Sequence, residues 1–253
     1  NELRLMCLSG AHYSIDDIED MNTLYTYGCS FTEDLHQLPK DTPRIEYANK
    51  YCGGIYKNWN EILAEKLGFD LVNYAATSAS DKFDFRLGNG NEDILEALSL
   101  SCDRFKKGDV VIVQLSMLER LRYCNDSNEI VTFLPSSLDL DDKGMNYLID
   151  FCYNRGNDIF VKPLINLLNP YIRLSKEIGF KFYLWGIDDL VQEKVLKMNH
   201  PNWLFDKNIN HMMSDLNIQT ETNNKIKDGH WGKPAQQIFS DLVFNIINKH
   251  NTI

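Results

Sequence analysis

A serine and a histidine, two hundred residues apart in the chain, have the surroundings that a nucleophile and its base require. Ser30 follows the run 24–27, whose aromatic and β-branched residues predict a buried strand, and Gly28 ends that run. A strand that ends in a glycine turn displays the next side chain at the carboxyl edge of a sheet, where open α/β folds place their chemistry. We therefore expect Ser30 to be a nucleophile, although a turn serine that caps the next helix would fit the same pattern.

His230 lies in the stretch 228–232, which reads Asp-Gly-His-Trp-Gly and precedes an amphipathic run. Serine is a poor nucleophile at neutral pH unless a base removes its proton, and a carboxylate that orients the base improves it. These residues predict His230 as the base and Asp228 as the residue that orients it. An acid ahead of a helix is also a common cap, so Asp228 has a structural alternative.

Two other kinds of chemistry fit parts of the same pattern. Asp-x-His can present two metal ligands, as in a metal-dependent phosphoesterase, but no carboxylate or histidine cluster in the sequence clearly completes such a site. Cys29 could act as a thiol nucleophile beside a histidine, but packing at a strand end is the favoured explanation. We expect no metal and no cofactor.

Composition predicts one globular domain over residues 1–253, with an insertion at about 120–145. The chain has 36 acidic and 26 basic residues and a formal charge of -10, so a nucleic-acid backbone would be repelled and no nucleic-acid partner is expected. Its six cysteines are scattered without a Cys-x-x-Cys pair, which favours reduced thiols in a cytoplasmic protein. No apolar run is long enough for a membrane span and no signal peptide is visible, so no membrane partner is expected.

Hydrophobic patterning predicts strands that alternate with helices along the chain. The strands are expected at 24–27, 69–75, 110–116 and 181–187, and the helices at 58–67, 91–105, 157–178 and from Pro234 onwards. Residues 33–54 are expected to form a loop, 130–134 a hairpin arm, and 188–226 an irregular stretch, while 1–22 would be a helical turn or an arm. This order predicts a parallel sheet with helices on both faces, and it places Ser30, Ser78, Ser116 and His230 at strand ends or in loops after strands.

The order of these motifs resembles the SGNH/GDSL hydrolase superfamily over about 24–248. Residues 28–32 resemble its first block, Gly-Asp-Ser, with Ser30 in the nucleophile position and Cys29 in place of the aspartate. Residues 73–80 resemble its second block, with Ser78 where a glycine amide normally serves the oxyanion hole. The final block, usually Asp-x-x-His, is one residue shorter here, and a similar Asp-x-His-Trp pattern occurs in alginate acetyltransferase-like proteins.

The third block departs from the family pattern, because no asparagine follows the strand at 110–116. The resemblance therefore implies an oxyanion hole built from the amides of Ser30 and Ser78, with Gln114, Ser116 or the charge of Arg120 in place of the missing donor. It also implies a flavodoxin-like three-layer α/β/α sandwich.

The function that the resemblance implies is a metal-independent serine esterase. Its substrate would be a small-molecule or carbohydrate ester, such as an O-acetyl group. An O-acyltransferase and a non-catalytic binding protein on the same fold remain alternatives.

Overall fold

The computed structural model describes residues 21–75, 90–118, 120, 122–124, 130–132, 160–218, 224–226 and 229–249. The predicted arm at 1–22 therefore lies almost entirely outside the described residues. The single domain and its insertion at about 120–145 stay a prediction.

A parallel sheet of four strands forms the centre of the described chain. Its strands are β1 (Thr23–Tyr27), β2 (Asp70–Asn73), β3 (Val110–Leu115) and β6 (Lys181–Gly186), in the order β2-β1-β3-β6. This order, with a reversal between β1 and β3, is that of flavodoxin-like sheets, which bind ligands at the carboxyl ends of those two strands. A separate antiparallel pair joins β4 (Arg122–Cys124) to β5 (Ile130–Thr132), as the hairpin prediction expected.

Helices cover both faces of this sheet, which confirms the predicted three-layer α/β/α sandwich. The described helices are α1 (Pro43–Tyr51), α2 (Trp59–Leu67), α3 (Asn91–Ser101), α4 (Lys162–Ile178), α5 (Asp189–Met198), α6 (Ile209–Asp215) and α7 (Lys233–Lys249). None of them is both long enough and apolar enough to span a bilayer. Val111 and Val113 of β3 pack on one side against α3, α4 and α5, while Val110 and Ile112 pack on the other side against α2, α6 and α7.

Two segments that the sequence predicted to lack regular structure contain helices. The expected loop at 33–54 contains α1, which begins with Pro43 in its first turn and packs Ile45 and Ala48 into a small cluster. The helix was missed because its buried side also includes Arg44, so its apolar stripe is short. The expected irregular stretch at 188–226 contains α5 and α6, which begin at capping residues Asp188 and Asn208.

Candidate active site

A tight turn at the carboxyl end of β1 presents Ser30. The amide of Thr32 donates to the carbonyl of Cys29 at 2.9 Å, so Ser30 and Phe31 occupy the two central positions of the turn. Gly28 permits this arrangement, because a Cβ on it would lie 2.4 Å from Oε1 of Gln114. The glycine before the serine is therefore required by close packing against β3.

Donors from other elements hold the carbonyl oxygens of this turn in place. Trp59 Nε1 donates to Phe31 O at 3.2 Å and Arg44 Nη1 donates to Ser30 O at 2.6 Å. Further along, Thr32 O accepts from the side-chain amides of Asn60 at 3.0 Å and Asn73 at 2.9 Å, and Glu33 O accepts from Asn58 Nδ2 at 2.7 Å. Five consecutive carbonyls, from residue 29 to residue 33, thus have hydrogen-bond donors, which fixes the backbone around Ser30 before any ligand arrives.

Arg44 reaches the turn from α1 and is buried in an ion pair. Its Nη2 lies 3.0 Å from Oε2 of Glu33, and the exposed fractions of the two side chains are 7% and 2%. One guanidinium therefore bridges a buried carboxylate and the carbonyl of the nucleophile residue. Because both charges are desolvated, each depends on the other for compensation.

The imidazole of His230 lies directly against the Ser30 hydroxyl. Nε2 of His230 is 2.6 Å from Oγ of Ser30, and the imidazole stacks on the ring of Phe31 with centroids 4.6 Å apart. Ser30 is 6% exposed and His230 is half-buried, with its Nδ1 atom shielded from solvent. When Nδ1 carries the ring proton, Nε2 accepts the hydroxyl proton, which is the arrangement that general-base activation of a serine requires.

The residue after His230 anchors the base to the core. Trp231 is fully buried, and its carbonyl accepts from the Tyr56 hydroxyl at 3.3 Å and from Gln236 Nε2 at 3.4 Å. Gly229, with φ of 78°, makes the left-handed turn that leads into the histidine. The histidine is thus held between a glycine turn and a buried indole, at the start of the segment that leads into α7.

The backbone N–H of Ser30 belongs to the residue whose hydroxyl contacts His230. It therefore lies next to any negative charge that forms on a ligand oxygen beside that hydroxyl. Within the described part of the chain it donates to no protein acceptor, in contrast to the amides of Cys29 and Thr32. A backbone N–H of the nucleophile residue that is not consumed by the fold can contribute to an oxyanion hole.

Two of the residues that the sequence predicted for the site, Asp228 and Ser78, lie outside the described residues. Ser30 and His230 are therefore the two predicted catalytic residues that the structure describes, and it brings them together.

The side chain of Gln114 forms hydrogen bonds to the residues on either side of Ser30 and Phe31 in the turn. Its Oε1 accepts from the Cys29 amide at 3.2 Å and from Thr32 Oγ1 at 2.6 Å, while its Nε2 donates to Sγ of Cys29 at 3.2 Å. Gln114 and Cys29 are both fully buried. The carboxamide is thus engaged beneath the nucleophile turn, and Cys29 packs there as a buried thiol.

Ser116, the other side chain considered for oxyanion stabilisation, is engaged at the end of β3. Its Oγ accepts from Nη1 of Arg120 at 3.2 Å, and its backbone N–H and C=O both pair with the side chain of Asn91, at 2.7 and 3.1 Å. Ser116 is fully buried. Asn91 therefore ties the start of α3 to the end of β3, a role that sequence reasoning missed.

Sequence reasoning also missed Arg44 and the asparagines that hold the nucleophile turn. A helix-start signal, Thr42 followed by Pro43, was present in the sequence and could have revealed α1. The contact of Arg44 with Ser30 depends on how α1 folds back, and no local pattern contains that information.

The described residues include one group whose atoms could jointly ligate a metal, formed by Asp34, His36 and Glu61. Their oxygens already accept hydrogen bonds, Asp34 from the His36 amide at 2.9 Å and Glu61 from the Asn58 amide at 2.7 Å. Burial raises the pKa of Glu61 above its ordinary value, and the hydrogen bond from the Asn58 amide offsets only part of this rise. Neither Ser30 nor His230 belongs to this group, so it gives no support to metal chemistry at the Ser30–His230 pair.

In comparisons with known proteins, no family model matches this chain, no curated protein matches it, and no solved structure matches it.

Proposed function

We propose that this protein is a metal-independent serine hydrolase of the SGNH type that cleaves a small acyl ester, with a carbohydrate O-acetyl group as one candidate substrate. The observation that carries the proposal is the distance of 2.6 Å between Nε2 of His230 and Oγ of Ser30. The position of the pair supports it, because both residues lie at the carboxyl edge of a parallel sheet, beside the reversal of strand order between β1 and β3.

In the proposed reaction, the Ser30 oxygen attacks the ester carbonyl while Nε2 of His230 takes the hydroxyl proton. The tetrahedral intermediate collapses to an acyl-serine, and the imidazolium returns the proton to the departing alcohol. Water then attacks the acyl-serine with His230 again as base, which releases the acid and restores the serine. Asp228 would hold the imidazole in the productive tautomer.

The negative charge on the carbonyl oxygen would be met mainly by backbone donors, the amides of Ser30 and Ser78. The engagement of Gln114 beneath the turn supports this assignment, because its carboxamide is already shared among Cys29 and Thr32. An alcohol that replaces water in the second step would give an O-acyltransferase with the same residues. We also propose a cytoplasmic location, which the free thiols of Cys29, Cys52 and Cys102 support.

Covalent labelling with a fluorophosphonate, followed by mass spectrometry of the labelled peptide, tests the proposal. We expect the label on Ser30, with loss of turnover of 4-nitrophenyl acetate in proportion to labelling. Chelator treatment is expected to change neither result. Ester turnover that depends on added metal, or that persists without labelling of Ser30, would contradict the serine mechanism.

The matched control is Cys29→Ala, because Cys29 is the neighbouring nucleophilic side chain. Labelling at Ser30 should survive this change, whereas a thiol mechanism would lose turnover with it.

A further inference from the structure

A cavity of about 210 Å³ lies beside the end of β3, between the first turns of α3 and α4. Most of the wall that the structure describes is apolar, and its described polar residues are Asn91, Glu92 and Arg120. The described apolar lining residues are Leu95, Leu118, Phe160, Pro163, Leu164 and Leu167. Leu167 is 58% exposed, so the cavity has an apolar rim that opens to solvent.

Arg120 is the cation among the described residues of this wall. Its Nη1 donates to Ser116 Oγ at 3.2 Å, and the guanidinium forms no ion pair within the described part of the chain. Arg44 offers a contrast, because its guanidinium is matched by the buried carboxylate of Glu33. A half-buried guanidinium over an apolar surface is suited to bind an anion that comes from a ligand.

The start of α3 adds to this preference for negative charge. α3 has eleven residues and contributes its first-turn residues Asn91 and Glu92 to the wall, so the positive end of its helix dipole lies there. Glu92, the acidic residue of the wall, is exposed to solvent. Asn91 fixes the geometry, because its side chain holds both backbone groups of Ser116 beside Arg120.

The cavity and the Ser30–His230 pair lie at the same edge of the sheet. Tyr27 of β1 is in register with Val113 of β3, and Ser30 and Ser116 each lie three residues beyond this pair in their chains. Adjacent strands lie about 4.8 Å apart, so the end of β3 is the neighbouring strand end to the one that carries Ser30. The cavity lies on the side of the sheet that α3 and α4 cover.

We infer that this cavity binds the alcohol portion of the ester, and that this portion is an apolar chain ending in an anionic group, either a carboxylate or a phosphate. The inference rests on the proposed function for the position of the scissile bond. It gives Arg120 the role of a specificity-determining residue. The proposed function gives the ester a small acyl group, so the longer portion that would extend from Ser30 toward Arg120 is the alcohol.

Binding to the Ser30→Ala protein tests the cavity without any need for turnover. Isothermal titration calorimetry with octanoate should show one site, and 1-octanol should bind at least about tenfold more weakly because it lacks the charge. Arg120→Met should weaken octanoate binding about tenfold or more, and so should Leu167→Glu, a rim change that leaves the core intact. The matched control is Arg173→Met, which removes the same charge from an exposed position on α4 and should leave binding unchanged.

Acetate release then tests whether the cavity serves the reaction. The probes are 6-acetoxyhexanoate and 8-acetoxyoctanoate, each compared with its uncharged primary amide, and 8-acetoxyoctyl phosphate, compared with uncharged 8-acetoxyoctan-1-ol. We expect kcat/KM for the charged esters to exceed that for their uncharged counterparts by about tenfold or more, and Arg120→Met to abolish this ratio. The relative rates of the carboxylate and phosphate probes identify the preferred anion.

The two hypotheses fail in different ways. Octanoate that does not bind, or that binds equally well to Arg120→Met, overturns the anion cavity whatever the enzyme does. Octanoate that binds without any preference for charged acetates overturns the role in substrate selection. Absence of acetate release from all probes, with octanoate binding intact, overturns the proposed hydrolase function and leaves an anion-binding cavity.

Discussion

The ends of β1 and β3 lie side by side in the sheet and both carry polar residues, yet the fold uses them differently. At the end of β1, the Ser30 hydroxyl meets the half-buried imidazole of His230 at 2.6 Å. At the end of β3, Gln114 and Ser116 are fully buried, and their described hydrogen bonds are to other protein groups. The first end presents a serine–histidine pair, and Gln114 at the second end supports the turn that carries the serine.

This difference shows that a polar residue at a strand end is not by itself evidence of a catalytic role. Burial and hydrogen-bond partners separate the two cases, because an enclosed side chain with partners on all sides has little to offer a ligand. Gln114 nevertheless matters to the site, since it supports the turn that displays Ser30. The comparison can be tested by substitutions at both strand ends.

Ser30→Ala should have the largest effect. It deletes the attacking oxygen, so kcat for 4-nitrophenyl acetate should fall by at least about a thousandfold. Circular dichroism and the melting temperature should stay close to the wild type, because one oxygen is lost from a turn that other groups hold. A folded variant with wild-type turnover would contradict the assignment of the nucleophile.

His230→Ala should cost about a thousandfold in kcat, and Asp228→Asn somewhat less, since the orienting acid is often the more dispensable of the two. An imidazole base must be neutral to accept a proton, so the rate should fall at acid pH, where His230 becomes protonated. The measurement is a pH-rate profile of the acylation step. A flat profile between about pH 5 and pH 8 would exclude a histidine base.

These first two predictions concern the residues that the sequence itself indicated. Most of the sandwich could be predicted from local sequence patterns. β3 is buried on both faces, so its sequence is a continuous apolar run. α2 and α4 end in a left-handed turn, which requires the glycine that follows each helix. Ser30 was found because it lies two residues after Gly28 at a strand end, and His230 because it directly follows Gly229 in a short Asp-Gly-His-Trp-Gly motif. Their contact shows that the two motifs are neighbours in space.

The support for the site could not be predicted from local patterns. Arg44 contacts Ser30 only because α1 folds back over the turn, and Gln114 contacts Cys29 and Thr32 only because strand register places it there. α1 has a short apolar stripe and a buried cation, so its periodicity was too weak to distinguish it from a loop. Asp228 and Ser78 lie outside the described residues, so their predicted roles remain predictions.

Arg44 should act as a positioning residue for Ser30. Arg44→Lys retains the positive charge but cannot reproduce the two guanidinium contacts, so we expect kcat to fall about tenfold while KM stays within about threefold. Glu33→Gln keeps the donor to the Ser30 carbonyl and should lose less activity.

A purely structural role for Arg44 makes a different prediction. It would lower the melting temperature of Arg44→Lys without lowering kcat for the protein that remains folded. Because an unpaired buried carboxylate can prevent folding, the double variant Arg44→Met/Glu33→Gln, which carries neither charge, provides a second test. If Arg44 positions Ser30, the rate at which a fluorophosphonate labels Ser30 should be reduced in this double variant.

Gln114→Met should affect stability more than chemistry. The change keeps most of the side-chain volume but removes the acceptor for the Cys29 amide and Thr32 hydroxyl, at a cost of about 1 to 3 kcal/mol in the free energy of unfolding. Urea denaturation measures this loss. If stability is retained while kcat falls about a hundredfold, the carboxamide is an oxyanion donor and the contrast between the two strand ends is wrong.

Ser116→Ala should have the smallest effect of the series. The side chain of Asn91 holds the backbone of Ser116, and the substitution leaves that contact in place. The Ser116 hydroxyl accepts a hydrogen bond from Arg120 and makes no described hydrogen bond to the turn that carries Ser30. Removal of one such hydrogen bond should change the free energy of unfolding by about 1 kcal/mol and kcat for 4-nitrophenyl acetate by less than about threefold. An oxyanion donor would behave differently, since its loss costs about 3 to 4 kcal/mol of the activation barrier. A loss of a hundredfold in kcat with normal labelling of Ser30 would therefore place Ser116 in the role of the missing asparagine, and the end of β3 would then take part in the chemistry as directly as the end of β1.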